Sequence, residues 1–458
     1  MKQGIITKTC AVAAALAMGV SLAACGGGSS ADFDKGHVYF MNNKSEVVDQ
    51  YKQLAEMYTE KTGVQVDVQT GASGTYDATM SSELAKSNAP TMFNISGFDQ
   101  FAKYQKYCEP LQDTEAYKLL TDDGKAYSYT IDGDSFTLPY AAEWYGIIYN
   151  KKIINDYASK DYAVIKSADD IKDYKTLKAV AESINEHKDD LGVDGAFATP
   201  GLDASDTYRF SAHMGRIPLY YEYKDMNTTF SKTIKGTYLD NYKDLFDLEL
   251  ETSPTDPSLV SSKTYDDVTS EFALGQVAFY PNGVWAYTQI KGNEVADDDL
   301  GMLPYYMGIK GEEESGPAGV YDASWAVNKN ASDKDKQATL DFIKWMVTDD
   351  EAKKILSQDM GFSVPFTTFD GDEFQPDNPL TKIARSYAAD GKTEVRSFTV
   401  PDQQWQDDVA AALIEYAQGT GDWSKVKSAY VDGWATEWNN NEESLGSVPQ
   451  AQKFDQQG

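Results

Sequence analysis

The stretch between His37 and Val68 constrains the fold more than any other part of the chain. "HVYFM" (residues 37–41) is a β-prone run and reads as a strand. Val47, Tyr51, Leu54, Ala55 and Tyr58 then recur at helical spacing, and Gly63 stops that helix. Val64, Val66 and Val68 alternate with polar residues as a second strand. This β-α-β unit implies a parallel sheet.

The alternation continues, which gives an α/β class. Residues 75–86 read as a helix, and "TMFNISG" after Pro90 reads as an apolar strand ending at Ser96 and Gly97. "YTIDGDSFTL" has the pattern of a hairpin, with Asp132-Gly133 as its turn. "GIIYNKKII" (residues 146–154) reads as a buried strand running into a helix. Further helices are expected at about 175–187, 239–247 and 264–274. Residues 332–358 read as one long helical region with Leu340, Ile343 and Val347 inward. Two more apolar faces follow: Trp405, Val409, Ala412, Leu413 and Tyr416, then Trp423, Val426, Tyr430 and Trp434. The final "VPQAQKFDQQG" is expected to fray.

With 458 residues the chain exceeds one core of ordinary size, so two lobes are expected. A formal net charge of −31 argues against nucleic acid and against docking of the folded body on anionic lipid. It reads as solubility and mutual repulsion.

The N-terminus has the form of an export signal. Lys2 and Lys8 are followed by the apolar residues 11–24, too short to span a bilayer comfortably. Leu22-Ala23-Ala24-Cys25 then meets "GGGSS" and resembles a bacterial lipobox. That resemblance implies a signal peptide over 1–24, a diacylglyceryl group on the Cys25 thiol and a flexible tether over 25–36. The alternative is an ordinary secretory signal with an incidental cysteine; the flanking small residues favour the lipoprotein. Of three cysteines only Cys108 is left for the folded body, so no disulfide within it is possible, and a half-buried structural thiol is expected.

Catalytic patterns are scarce. The three histidines, His37, His187 and His213, fall in different elements without partner spacing, which argues against a His triad or a His metal site. Neither a GxGxxG after a strand nor a P-loop is present. "IDGDSF" and "FDGDEF" do not fit a calcium loop and read as turns. No metal and no cofactor are expected. A glycosidase needs two carboxylates at a set separation, and nothing singles out a pair among 72 acids.

The rings are more informative: Phe98, Tyr140, Trp144, Trp285, Tyr321 and Phe362 all sit where strands end. In open α/β sheets ligands gather at the carboxyl ends of strands. Sugars offer C–H patches to aromatic faces and hydroxyls to planar polar groups, and Asp99, Glu143, Asn282 and Asp322 lie one to three residues from those rings. This interleaving fits a carbohydrate cleft; the competing reading makes half or more of the rings core.

"YKQLAEMYTEKTGVQVDV", "ELAKSNAPTMFNISGFDQFAKY", "TLPYAAEWYGIIYNKKII", "EFALGQVAFYPNGVWAY" and "GPAGVYDASWAVNKNASDKDKQATLDFIKWM" occur in that order. In them the chain resembles the extracellular solute-binding proteins of bacterial carbohydrate ABC importers, the family of the maltose-binding protein. The resemblance implies a two-lobe α/β fold of the periplasmic-binding-protein type (type II), closing by a hinge on an oligosaccharide and delivering it to a membrane permease. One lobe would hold residues 37–141 and 325–360, the other 142–324 and 361–450.

It also implies site residues. Asn43 and Lys44 follow the first strand, where the family places polar sugar contacts. Asp99 matches an acidic contact; Gln100 stands where the maltose-binding protein has arginine, and a neighbouring ring is displaced to Phe98. Glu143 lies in the first crossing between lobes, as a sugar contact or a hinge hydrogen bond. Trp144 is a stacking platform or a packed hinge ring. Tyr208 resembles a second-lobe aromatic contact, while Arg209 pairs equally well with an interior acid. Trp285, with Asn282 just before it, matches the family's stacking tryptophan. Tyr321 and Asp322 stand at the second crossing, Trp325 reads as strand core, and Phe362 begins the return to the second lobe. The expected molecule is a monomer anchored by lipid on the outer face of a Gram-positive cell, and not an enzyme. A secreted glycoside-processing enzyme using Glu143 and Asp322 is the alternative, as is the same fold with a polyol, peptide or anion; few clustered Arg and Lys near strand ends argue against an anion.

Overall fold

The computed structural model describes residues 35–71, 74–131, 133–445, 448–449 and 451–454. The signal peptide, Cys25 and nearly all of the tether lie outside the described residues, as do Asp132 and the side chain of Asp322.

The opening unit forms as its pattern requires. Strands β1 (His37–Asn42) and β2 (Gln65–Thr70) pair in parallel, from His37 beside Gln65 to Asn42 beside Thr70. Helix α1 (Val48–Thr62) buries Tyr51, Leu54, Ala55 and Tyr58, one face of a 3.6-residue period. Gly63 ends it at φ 75°, a left-handed conformation in which glycine carries no Cβ penalty, and its N–H donates to the Thr59 carbonyl. Helix α2 (Tyr76–Leu84) leads to β3 (Met92–Ser96), parallel to β1.

The short hairpin β4 (Thr130–Ile131) and β5 (Asp134–Ser135) stands apart from the main sheet. The main sheet adds β6 (Leu138–Asn150), β7 (Gly195–Phe197), β8 (Val277–Gly283), β9 (Leu300–Leu303), β10 (Ser315–Val327) and β11 (Thr393–Arg396). Its order is β2-β1-β3-β10-β6-β8-β7, with β11 on β10 and β9 on β6.

Two strands of 13 residues, β6 and β10, connect the lobes. Leu138, Tyr140 and Trp325 pack into one core with Phe40, Tyr51 and Phe342. Further along the same strands, Tyr145, Ile147 and Val320 join another core with Phe279, Phe210 and Trp405. On the opposite faces Phe93 and Ile95 pack with Phe101 in the first lobe, and Trp144 and Ile148 with Tyr280 in the second. Each lobe is thus a sheet covered on both faces.

The crossing strands are irregular where the lobes meet. Val320 opposes Glu143 and Ala323 opposes Ala141, so three steps on β10 span two on β6. Ser324 then opposes Pro139, which takes the extra residue back on β6. These are bulges, which break the ladder and bend the strand locally.

The packing corrects several expectations. Phe362, Phe366, Phe369 and Phe374 belong to the first-lobe core, and the chain rejoins second-lobe packing only at Leu380. The long helix expected over 332–358 is broken, because the Asp349 carboxylate accepts from the N–H groups of Glu351 and Ala352 and starts a new helix, Asp350–Lys354. Ile343 and Val347 are buried as expected, while Leu340 is half-buried. Cys108 is fully rather than half buried, and burial pushes its thiol up to about 12, which leaves it inert. The chain end does not fray throughout: Gln452 and Thr229 exchange two hydrogen bonds, and Phe454 lies 5.3 Å from Tyr220.

Candidate functional site

A cavity of about 300 Å³ lies between the lobes, against the crossing strands. The first lobe contributes polar groups from the ends of β1 and β3. Asn43 is fixed by its N–H to Asn94 Oδ1 (3.0 Å) and by Nδ2 to Ser96 Oγ (2.7 Å). Lys44 Nζ stands 2.6 Å from Glu143 Oε2 on β6 and 3.4 Å from Glu46. Burial alone would depress the Lys44 ammonium, but Glu143 and Glu46 outweigh it and hold its pKa above the ordinary value. Helix α3 (Gly97–Tyr104) carries Asp99 and Gln100, and Gln100 accepts the Ser96 N–H at 2.9 Å. Gly97 at φ 86° lets Asp99 fold back over it: an added Cβ would stand 2.6 Å from Asp99 Oδ1.

The second lobe contributes rings. A π-helical turn, Arg209–Met214, precedes the helix Gly215–Met226. Tyr208 stands just before it, and His213 and Arg216 also line the cavity. The turn is held from inside: Arg209 pairs with Asp206 through Nε–Oδ1 (2.7 Å) and Nη2–Oδ2 (2.5 Å), and Nη1 donates to the Pro281 carbonyl at the end of β8 (2.7 Å). Trp285 follows β8, its ring lying across Gly283, where an added Cβ would stand 2.1 Å from ring carbons. Tyr265, at the start of the helix Tyr265–Ala273, completes this wall, 6.4 Å from Tyr208.

Buried polar atoms on cavity residues without a hydrogen-bond partner among the described residues include Asn43 Oδ1, His213 Nδ1 and Tyr265 Oη.

Of the expected site residues, the structure brings Asn43, Lys44, Asp99, Glu143, Tyr208 and Trp285 together in this cavity. The others lie elsewhere. Successive strand residues point to opposite faces, so with Glu143 in the cavity Trp144 is turned away. Trp144 Nε1 donates to Glu394 (2.7 Å). Tyr321 reaches the same carboxylate at 3.4 Å and stacks on Tyr127 with centroids 4.0 Å apart. Burial raises the pKa of Glu394 despite these bonds. Asn282 is 1% exposed, bonds the Tyr280 hydroxyl and accepts the Gly283 N–H (2.8 Å). Phe362 is core, 5.6 Å from Tyr140. Asp322 lies on β10, with its side chain outside the described atoms. Phe98 packs on Phe101 and Tyr129, Tyr140 stacks on Trp325 at 4.5 Å, and Arg209 takes the interior acid as its partner.

Sequence reasoning missed His213, Arg216, Tyr265, Gln403 and Gln406. Arg209, His213 and Arg216 recur at i, i+4 and i+7, a helical spacing present in the sequence. Gln403 and Gln406 open the helix Gln403–Ala417, far along the chain, and carry no local signal. Among the described residues no group of three or more His, Cys, Asp or Glu stands placed to hold a metal.

Two lobes that share crossing strands and enclose a cavity, polar on one side and aromatic on the other, define a receptor for a small solute. The chain belongs to the bacterial extracellular solute-binding proteins, whose family model matches residues 53–380. The maltotriose-binding protein of Pyrococcus abyssi is 25% identical over 230 residues, which is 50% of this chain and 44% of that protein. The chain thus spans about half the length of the curated relative it matches. Among solved structures, the GacH receptor of Streptomyces glaucescens, studied unliganded and with acarbose, aligns with a TM-score of 0.67 at 18% identity, covering 89% of this chain and 99% of that one. A chitin oligosaccharide binding protein aligns with a TM-score of 0.70 at 18% identity, covering 90% and 100%. The raffinose complex of the binding protein RafE gives 0.62 at 16% identity, covering 90% and 100%. These likenesses establish the two-lobe fold.

Proposed function

We propose that this protein captures a neutral oligosaccharide in the interlobe cavity and delivers it to the permease of an ABC importer, without making or breaking a bond. The observation that carries this reading is the cavity wall itself: Trp285, Tyr208 and Tyr265 offer ring surface, and Asn43 Oδ1 and Tyr265 Oη are buried polar atoms without partners there. Rings beside unpaired hydrogen-bonding atoms suit a ligand with C–H faces and hydroxyls. The names of the relatives, with maltotriose, acarbose, chitin oligosaccharide and raffinose among them, point the same way. The charges lining the cavity are balanced rather than cationic, since Lys44 is committed to Glu143 and Glu46.

One lobe is assigned residues 37–141 with 325–374, and the other 142–324 with the chain from 380 onward. The mature chain is read as a monomer held by lipid on Cys25 at the outer face of the cell membrane. Among the described residues no helix is long and apolar enough to cross a membrane.

Calorimetric titration against α- and β-linked oligosaccharides tests the main reading. At least one sugar is expected to bind and to be recovered intact. Silence across the panel would sink it, and hydrolysis abolished by Glu143→Gln would favour the enzyme instead. For the anchor, Cys25→Ala is expected to move the protein from the membrane fraction to the soluble fraction; persistence in the membrane would refute lipidation.

A further inference from the structure

His213 is caged by rings in the second-lobe wall of the cavity. Its imidazole lies flat on Tyr145, with centroids 4.3 Å apart and an interplanar angle of 18°. Tyr208 meets it edge-on at 5.1 Å and 87°, and Trp285 lies 5.1 Å away at 55°. Nothing here uses the ring's hydrogen-bonding capacity at Nδ1: the atom is buried and has no partner among the described residues. The ring nevertheless lines the cavity beside the residues expected to stack on a ligand.

A neutral imidazole carries one donor and one acceptor nitrogen, whereas the protonated ring only donates. The surroundings keep this ring neutral. Burial lowers its pKa well below the ordinary 6.5, and the cations of Arg216 and Arg209 on its own helical segment and of Lys44 from the first lobe lower it further. The acids near it are already engaged: Asp206 holds Arg209, and Glu143 and Glu46 hold Lys44. Asp99 lines the cavity from α3.

We propose that neutral His213 is a specificity residue of the cleft, accepting on its unprotonated ring nitrogen a hydrogen bond from a sugar hydroxyl, so that acid both removes the acceptor and weakens binding. The proposal rests on the oligosaccharide reading and adds what that reading does not contain: a named acceptor and a pH dependence of affinity. The sign follows from the direction of the shift. In the free protein the ring is neutral at pH 7 and takes a proton only well below 6.5. Affinity is therefore level from neutral pH upward and falls as acid protonates His213.

The test is titration of the full chain with maltotriose, raffinose and chitotriose from pH 5 to 8, for wild type, His213→Phe and His213→Gln. Phenylalanine keeps the stacked ring and removes the acceptor; glutamine restores an acceptor without a titrating group. His213→Phe is expected to lose about tenfold or more in affinity at pH 7, equivalent to ~1.4 kcal/mol. His213→Gln is expected to recover part of that loss. Both should lose the acid limb attributable to this ring, and unchanged melting temperatures would show that neither effect is unfolding. Binding by His213→Phe equal to wild type, or the same acid limb in both variants, overturns the inference while leaving the sugar reading intact. Failure of wild type to bind any of the three overturns both. With only three histidines in the chain, ring proton resonances report directly: His213 titrating near 6.5 in the free protein would also overturn it.

Discussion

Gly283 carries no side chain because Trp285 lies across it. The backbone there has φ −106°, which any residue adopts, so the requirement is space and not conformation. An added methyl would stand 2.1 Å from the indole. Two substitutions separate the ring from its placement. Trp285→Ala removes the platform and is expected to cost at least about tenfold in affinity, ~1.4 kcal/mol. Gly283→Ala leaves the indole present but displaced, and a smaller loss is expected. Calorimetry with the tightest sugar reads both; equal affinity of Trp285→Ala and wild type would return the ring to the core. At this scale the sequence was half legible. A tryptophan after a strand and turn marked the cleft, as did the residues following β1 and β3. For Trp144 a stacking platform and a packed hinge ring both stayed open, because the sequence does not say which face of a strand meets the cleft. Glu143 faces the cavity, so Trp144 cannot. Val320 and Ala323 both face it, three apart, only because a bulge sets β10 off its two-residue period.

Among the elements, the π-helical turn does most to shape the site. It presents Tyr208 and His213 to the cavity while anchoring to β8 through Arg209. Arg209 is 1% exposed and Asp206 is 0%, so neither charge is solvated. Breaking such a pair by removing one partner costs about 3–5 kcal/mol, because a buried charge is left alone, whereas an apolar pair of similar volume is often tolerated. Arg209→Leu is therefore expected to lower the melting temperature sharply. Asp206→Leu with Arg209→Met is expected to regain much of that stability but not sugar affinity, since the link to Pro281 is gone. Thermal denaturation beside titration distinguishes these; a mild Arg209→Leu would show the pair to be dispensable. The spacing of Asp206 and Arg209 hinted at this contact. The π turn gave no such hint, because one added residue in a helix leaves the apolar period nearly unchanged. The broken helix after Met346 was legible in principle, through Asp349 as a cap, yet its apolar spacing carried across the break.

Across the whole molecule, alternating strands and helices led directly to the α/β class, while the joining of both lobes by β6 and β10 came from resemblance to a family rather than from periodicity. A 13-residue apolar strand looks the same whether it serves one core or two. What the strand pattern could not report is that the ladder between β6 and β10 is interrupted twice at the junction. Bending is easiest where ladder hydrogen bonds are already broken, so the lobes are expected to move about this point. They meet here at a second place: Gly74 of the first lobe, at φ 75°, comes so close to Ala204 of the second that an added Cβ would stand 2.4 Å from its carbonyl oxygen. Opening of the lobes about the junction must part Gly74 from Ala204. A ligand that touches both walls only when they are closed shifts the population toward that state by its differential affinity. Two observables follow for the tightest sugar. The radius of gyration from small-angle X-ray scattering should fall on saturation, and stability should rise by ~2.7 kcal/mol at a hundredfold excess over Kd. A rise in stability with an unchanged radius would mean that the free protein is already closed, which would leave the bulged junction as a rigid feature of the sheet rather than a hinge.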